Sequence, residues 1–135
     1  MKKNQVKLKN HWEDYYKTKK NNSVWQTFPS QFAIFTLSNV KEKNSLLEIG
    51  CGNGRDSLFF SNYFNNVLCV DYSSNAIDII NNKISKKNNI RANILDLYND
   101  EKVDIFSKLY SKSFNIIYGR FFLHAINKSG EINFW

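Results

Sequence analysis

The sequence predicts an α/β domain built on a parallel sheet, and three observations predict it. Four short apolar runs, at residues 46–49, 66–71, 90–95 and 114–118, each end in or beside a glycine or an acidic residue. Segments with apolar residues at helical spacing separate them. Directly after the first run, glycine takes every second position of Gly50-Cys51-Gly52-Asn53-Gly54. Open α/β sheets bind ligands outside the carboxyl ends of their strands, so site residues are expected at those four ends.

The first strand is Leu46-Leu47-Glu48-Ile49, and Arg55-Asp56 begin a helix after its glycine loop. An acidic residue ahead of such a loop, with a helix behind it, is what a parallel sheet uses to hold an adenosine-bearing cofactor. Alternate glycines remove Cβ atoms where a ligand must touch backbone and permit the left-handed turn. A nicotinamide or flavin fingerprint, G-x-G-x-x-G, would need glycine at position 55, where Arg55 stands. That disfavours a dehydrogenase.

The second strand, residues 66–71, ends in Asp71, about 20 residues beyond the glycines, where doubly wound folds place the carboxylate that receives ribose hydroxyls. Two acceptor oxygens suit two vicinal donors. Tyr72 is then placed to lie against an adenine face. Ser73-Ser74-Asn75 offer N-caps, and Ile77, Ile80 and Ile84 recur at helical spacing, so residues 76–86 are expected as a crossover helix. A third strand over 90–95 runs into Asp96-Leu97. A fourth over 114–118 runs into Gly119-Arg120 and a helix-like stretch at 121–126, and residues 127–130 read as a turn.

Glu48 with Gly50, Gly52 and Gly54 resembles the first motif of class I S-adenosylmethionine-dependent methyltransferases. The later strand ends extend the resemblance over about residues 45 to 127, in the family's motif order. It implies a Rossmann-like parallel sheet with flanking helices and S-adenosyl-L-methionine as cofactor. It further implies that Glu48 and the backbone of Gly50, Cys51 and Gly52 lie near the methionine amino group, and that Asp71 meets the ribose. Asp96 and Leu97 would meet adenine, and the Gly119 region would flank the methionine moiety. The family's strand order, 3-2-1-4-5-7-6, leaves the fourth strand an edge in a chain of 135 residues. The C-terminal strands are therefore expected to be lacking: the chain is a fragment, or has a divergent ending, or its apolar edge is covered by a second copy, a partner chain or the N-terminal segment, or stays exposed.

Residues 1–44 are expected as an N-terminal helical lid and 45–135 as the cofactor-binding core, together one domain. Residues 1–20 hold seven lysines against Glu13 and Asp14, which is +5 of the chain's formal +7. That charge suits either a nucleic-acid patch or a solvated helix in a chain rich in Lys, Asn, Ile, Phe and Tyr. The solvated helix is the simpler account. His11-Trp12-Glu13-Asp14-Tyr15-Tyr16 and Val24-Trp25-Gln26-Thr27-Phe28-Pro29-Ser30-Gln31-Phe32 are similar to the lead-in of small-molecule and glycan methyltransferases, whose first helices fold over the cofactor. Trp25, Phe28 and Phe32 are lid candidates on that resemblance, Trp25 also toward substrate, and aromatics at this spacing equally form ordinary core.

A methyl sulfonium is already activated, so alignment of the acceptor supplies much of the rate. A general base is needed only for an acceptor of high pKa; His124, near the mouth of the expected site, is the candidate. Arg120 could meet an acidic group of the substrate or the methionine carboxylate, or form a structural ion pair. The chain lacks the N/D-P-P-Y tetrapeptide and the Pro-Cys nucleophile of base-modifying methyltransferases, and Tyr118-Gly119-Arg120-Phe121-Phe122-Leu123-His124-Ala125-Ile126 is similar to a stretch in enzymes acting on small molecules or cell-surface sugars. The function expected is methyl transfer to such an acceptor; the alternative is a cofactor-binding module that acts only with a partner or further sequence. Cys51 and Cys69 form neither a disulfide framework nor a metal site. With no apolar run of membrane length and no signal-peptide core, a cytoplasmic location is expected.

Overall fold

The computed structural model describes residues 2–20 and 28–135. Trp25, the substrate-side lid candidate, lies outside them. Helix α1 (Lys2–Lys20) precedes α2 (Gln31–Asn39). Then follow β1 (Ser45–Ile49), α3 (Arg55–Phe60), β2 (Asn66–Asp71), α4 (Ser74–Ile84), β3 (Ile90–Ile94), α5 (Asp100–Tyr110), β4 (Ile116–Tyr118), a 3-10 turn (Leu123–Ala125) and α6 (Lys128–Phe134).

The four strands form one parallel sheet in the order β3-β2-β1-β4. Leu47 pairs with Leu68 on one side and with Ile117 on the other. The two central strands are buried on both faces, which is why they read as continuous apolar runs rather than as alternation. Alternate residues nevertheless part to opposite faces, as strand geometry dictates. Leu46, Val67 and Cys69 pack with Phe60, Ile77, Ile80 and Ala33 from α2, α3 and α4. Leu47, Ile49, Leu68 and Val70 pack with Val103 and Phe106 of α5 and Phe134 of α6. Each fully buried aliphatic side chain contributes about 1.5–3 kcal/mol, so the sheet centre anchors the domain.

Local signals fix the helix starts. The Ser30 hydroxyl caps α2 by accepting the Ala33 N–H at 3.0 Å, Ser73 caps α4 from Ala76 at 3.2 Å, and Asn99 caps α5 from Lys102 at 3.0 Å. Helix α4 begins two residues ahead of the expected start, because Ser73 is its cap and Ser74 and Asn75 are already helical. Two expectations at the C-terminal end are corrected. The stretch at 121–126 is a short 3-10 turn, because Phe121 takes a left-handed φ of 54° that breaks a helix at its first residue. Residues 127–130 are a helix start rather than a turn: Asn127 accepts the N–H groups of Ser129 and Gly130 at 3.0 and 3.3 Å and opens α6. Asx side chains serve turns and caps alike, and here the following residues continue as helix. The β4 edge stays open, with Ile117 63% exposed.

Candidate functional site

The strand order reverses between β1 and β4, and a cavity of about 610 Å³ lies at the carboxyl ends around that point. Its wall is residues 48–53, 55 and 56 after β1, 70–72 at the end of β2, 95–98 after β3 and 120–122, Ala125 and Ile126 after β4, closed above by Leu8, Lys9, Trp12, Tyr15 and Tyr16 of α1. The volume suits a small molecule or a nucleoside cofactor.

The glycine loop is held against β2. Asp71 accepts the Gly52 N–H at 2.9 Å and the Ser73 N–H at 3.0 Å, tying the loop, the strand end and the start of α4 together. Burial raises the Asp71 carboxyl, and these backbone donors oppose the rise. Gly50 and Gly52 both take positive φ. A Cβ on Gly50 would lie 2.6 Å from the Phe122 ring, and one on Gly52 would meet the Tyr16 hydroxyl. Tyr16 is thus the ceiling over the loop. Burial, and then the Asp71 carboxylate, keep its phenol protonated well past the usual range.

Glu48 is 4% exposed and accepts a hydrogen bond from Ser57. Burial pushes its carboxyl well above the usual range, so the neutral acid is favoured there. Burial likewise pushes the Cys51 thiol up. Asp96 forms an ion pair with Lys9 and accepts the Tyr98 N–H at 3.0 Å, with Leu97 buried beside it. The Tyr72 hydroxyl donates to the carbonyls of Leu8 and Lys9, so its ring lines the cavity while its tip is fastened to α1.

Glu48, Gly50, Cys51, Gly52, Asp71, Tyr72, Asp96, Leu97 and Arg120 therefore meet in one cavity wall. Five expected residues do not share it. Gly54 faces the core: it begins α3 at φ 73°, and a Cβ there would lie 2.6 Å from Ile80 Cγ1. Gly119 packs at the end of β4, against the Ile49 carbonyl and Phe122. His124, on the 3-10 turn, stands outside the wall with its ring 5.7 Å from that of Phe121. Of the lid candidates, Phe28 is exposed and Phe32 stacks on Tyr118 at 5.4 Å, because α2 packs on the α3 face of the sheet and not over the cavity.

Residues that sequence reasoning missed sit on α1 and α3. Glu13 reaches the start of α4, accepting from the Ser73 hydroxyl at 2.9 Å, the Ser74 N–H at 2.8 Å and the Asn75 side chain at 2.7 Å. Asp56 accepts from the Ser30 N–H at 2.8 Å, the Ser30 hydroxyl at 2.7 Å and the Tyr118 hydroxyl at 2.9 Å. An acid in the first turn of a helix was the one signal available for Asp56. Nothing local marks Glu13. No group of three or more metal-ligating side chains occurs among the described residues.

A parallel sheet with a glycine loop at its reversal point and acids after the next two strands defines an α/β domain that binds a nucleoside cofactor. Residues 47–133 match the methyltransferase domain family, and the chain belongs to it. The fold is that of class I S-adenosylmethionine-dependent methyltransferases. A methyltransferase of this kind from Anabaena variabilis is 24% identical with a TM-score of 0.63, over 84% of this chain and 48% of that one. A protein studied for the conversion of a disulfide bond into a thioacetal group during echinomycin biosynthesis is 16% identical with a TM-score of 0.64, over 79% and 42%. Phosphoethanolamine N-methyltransferase 1 of Haemonchus contortus, solved with phosphoethanolamine and S-adenosylhomocysteine, is 16% identical with a TM-score of 0.50, over 67% and 22%. The chain thus spans less than half the length of these structures. Comparison with curated protein sequences gives no match.

Proposed function

We propose that this chain binds S-adenosylmethionine in the cavity at its strand ends and transfers the methyl group to a small-molecule or sugar acceptor. The observation that carries the reading is the convergence of Glu48, the glycine loop, Asp71 and Asp96 on one wall. The groups present fit the cofactor: a backbone bare of Cβ atoms at Gly50 and Gly52, and acceptor carboxylates for ribose and adenine donors at Asp71 and Asp96. Bound there, S-adenosylmethionine supplies a methyl carried on a sulfonium.

The protein's part is placement. Asp71 and the Gly52 N–H fix the loop on which the methionine end would rest, while Tyr16, Trp12 and Tyr15 roof the cavity and exclude water. Transfer in line needs the acceptor about 3 Å from the methyl carbon, and rigid walls supply that alignment. The aromatic mouth, with Phe121 and Phe122 beside Arg120, supports a small polar acceptor. The phosphoethanolamine held by the Haemonchus enzyme is one such molecule. No general base is assigned, since His124 stands outside the wall.

Calorimetric titration with S-adenosylhomocysteine tests the reading. Saturable binding is expected, with Asp71→Ala weakening it by about 1.5–3 kcal/mol, the scale of a hydrogen bond to a charged group. Binding of NADH with no S-adenosyl ligand bound would overturn it. The second reading, a module that needs a partner strand or further sequence for turnover, is favoured by the β4 edge, where Ile117 is exposed. Cofactor binding without methyl transfer, together with concentration-dependent light scattering, supports that one. No described helix is long and apolar enough to cross a membrane, and a cytoplasmic setting remains part of the proposal. So does the division into a lid at 1–44 and a core at 45–135.

A further inference from the structure

Beneath the glycine loop, the cavity has an end that the adenosine contacts do not use. Arg55, Asp56, Arg120 and Glu48 meet there. Asp56 is almost fully buried, and its three hydrogen bonds from Ser30 and Tyr118 outweigh the upward pull of burial and hold the carboxyl below its usual range. It stays ionised. Arg120 Nε lies 3.3 Å from Asp56 Oδ2, and Arg55 Nε lies 3.4 Å from Oδ1. Two guanidiniums share one carboxylate, while Glu48 is held toward its neutral form.

Arg120 is braced on two sides. Asp56 holds Nε from below, and the Phe121 ring lies 4.6 Å from the guanidinium carbon. Phe121 is 70% exposed and adopts a left-handed φ that a bulky side chain rarely takes. Strain of this kind persists where the surrounding structure enforces it, and it gathers at ligand sites. Here it sets an aromatic face against the arginine. A guanidinium fixed in this way, with its side chain 30% exposed on a cavity wall, offers its remaining N–H groups to a carboxylate or phosphate.

We propose that Arg120 is the anion-holding residue of the cavity, oriented by Asp56 and Phe121 to receive a carboxylate or phosphate of a bound ligand. The anion is either the amino-acid carboxylate of the cofactor or an acidic group on the acceptor. The assignment rests on the cofactor reading above. Arg55, which also reaches Asp56, needs no part in holding the anion.

Affinities for S-adenosylhomocysteine and 5′-methylthioadenosine separate the cases, since both carry the adenosine and thioether and only the first carries the carboxylate. Wild type is expected to prefer S-adenosylhomocysteine by about tenfold or more, and R120Q to bring the two within about threefold with 5′-methylthioadenosine binding unchanged. That result assigns the anion to the cofactor. If the preference survives, inorganic phosphate titrated into S-adenosylhomocysteine-saturated protein is expected to bind wild type and not R120Q, which assigns it to the acceptor. R120Q that alters neither measurement, or that weakens both nucleosides alike, overturns the proposal. Should R120Q fail to fold, R120K keeps a cation beside Asp56 and decides the matter: a selective loss supports the role of the guanidinium, and full wild-type behaviour overturns it. Wild type that binds neither nucleoside overturns the cofactor reading and this proposal together, whereas normal binding with an indifferent R120Q removes only this one.

Discussion

Lys9 on the first helix forms an ion pair with Asp96 at the end of β3, joining residues 87 positions apart. Asp96 is also the carboxylate that would receive the adenine amino group. Lys9 and the adenine amino group would thus compete for a carboxylate that already accepts the Tyr98 N–H, and a partly exposed ion pair is a weak competitor, typically worth 1 kcal/mol or less.

Removing that competitor gives the first prediction. Lys9→Ala is expected to tighten S-adenosylhomocysteine binding by a few-fold at low salt, and the gain should shrink as salt screens the pair. Asp96→Ala is expected to weaken binding by about tenfold or more. Calorimetric titration of both variants at two ionic strengths checks this, and a Lys9→Ala protein that binds more weakly than wild type would show that Lys9 assists the ligand.

The glycine loop gives a pair of opposite outcomes. Gly52→Val places a branched side chain against Tyr16 at a φ of 54°, at the cavity wall, so it is expected to abolish ligand binding in a protein that keeps its far-UV spectrum. Gly54→Ala directs its methyl group into Ile80 at a φ of 73°, so it is expected to cost about 1–3 kcal/mol of stability through backbone strain and overpacking. Its ligand affinity should be nearly unchanged once it is folded. Urea denaturation and titration on the same two proteins distinguish a wall residue from a packing residue.

Docking of α1 should weaken in acid. Burial raises the Glu13 carboxyl, but the hydrogen bonds from Ser74, Ser73 and Asn75 outweigh it and leave the value below that of an ordinary glutamate. A carboxylate depressed in the folded state contributes fully above its unfolded pKa, about 4.3, and the contribution is lost as pH falls through the lower folded value. Amide hydrogen exchange in α1, corrected for its intrinsic pH dependence, should therefore accelerate below about pH 4.3 in wild type. Glu13→Gln should exchange faster at neutral pH and show little further change across that window.

The sheet was legible because its central strands are buried on both faces and its loops carry glycine or acid at fixed places. Asp71 and the glycine loop, expected from spacing, and Asp96, expected from the resemblance, line one cavity. Gly54, expected among the cofactor contacts, faces Ile80: a glycine that packing requires looks, in sequence, like one that a ligand requires. Phe121 ended the expected helix through a backbone angle that no residue identity announces. The bounds of α5 went unassigned, although Asn99 caps it and Val103, Phe106 and Tyr110 pack on the sheet at helical spacing. Glu13, Lys9 and Tyr16 were beyond reach for another reason: their partners lie far along the chain and become neighbours only once the sheet exists.

That separation also orders events during synthesis. Helix α1 leaves the ribosome before any residue that seats it: Glu13 waits for Ser73, 60 positions on, and Lys9 waits for Asp96, 87 positions on. At about 5–20 residues per second, the second delay is roughly 4–17 s. Through that interval the glycine loop and β2 can assemble under an open roof, and α1 finds its full seat only after β3 has emerged.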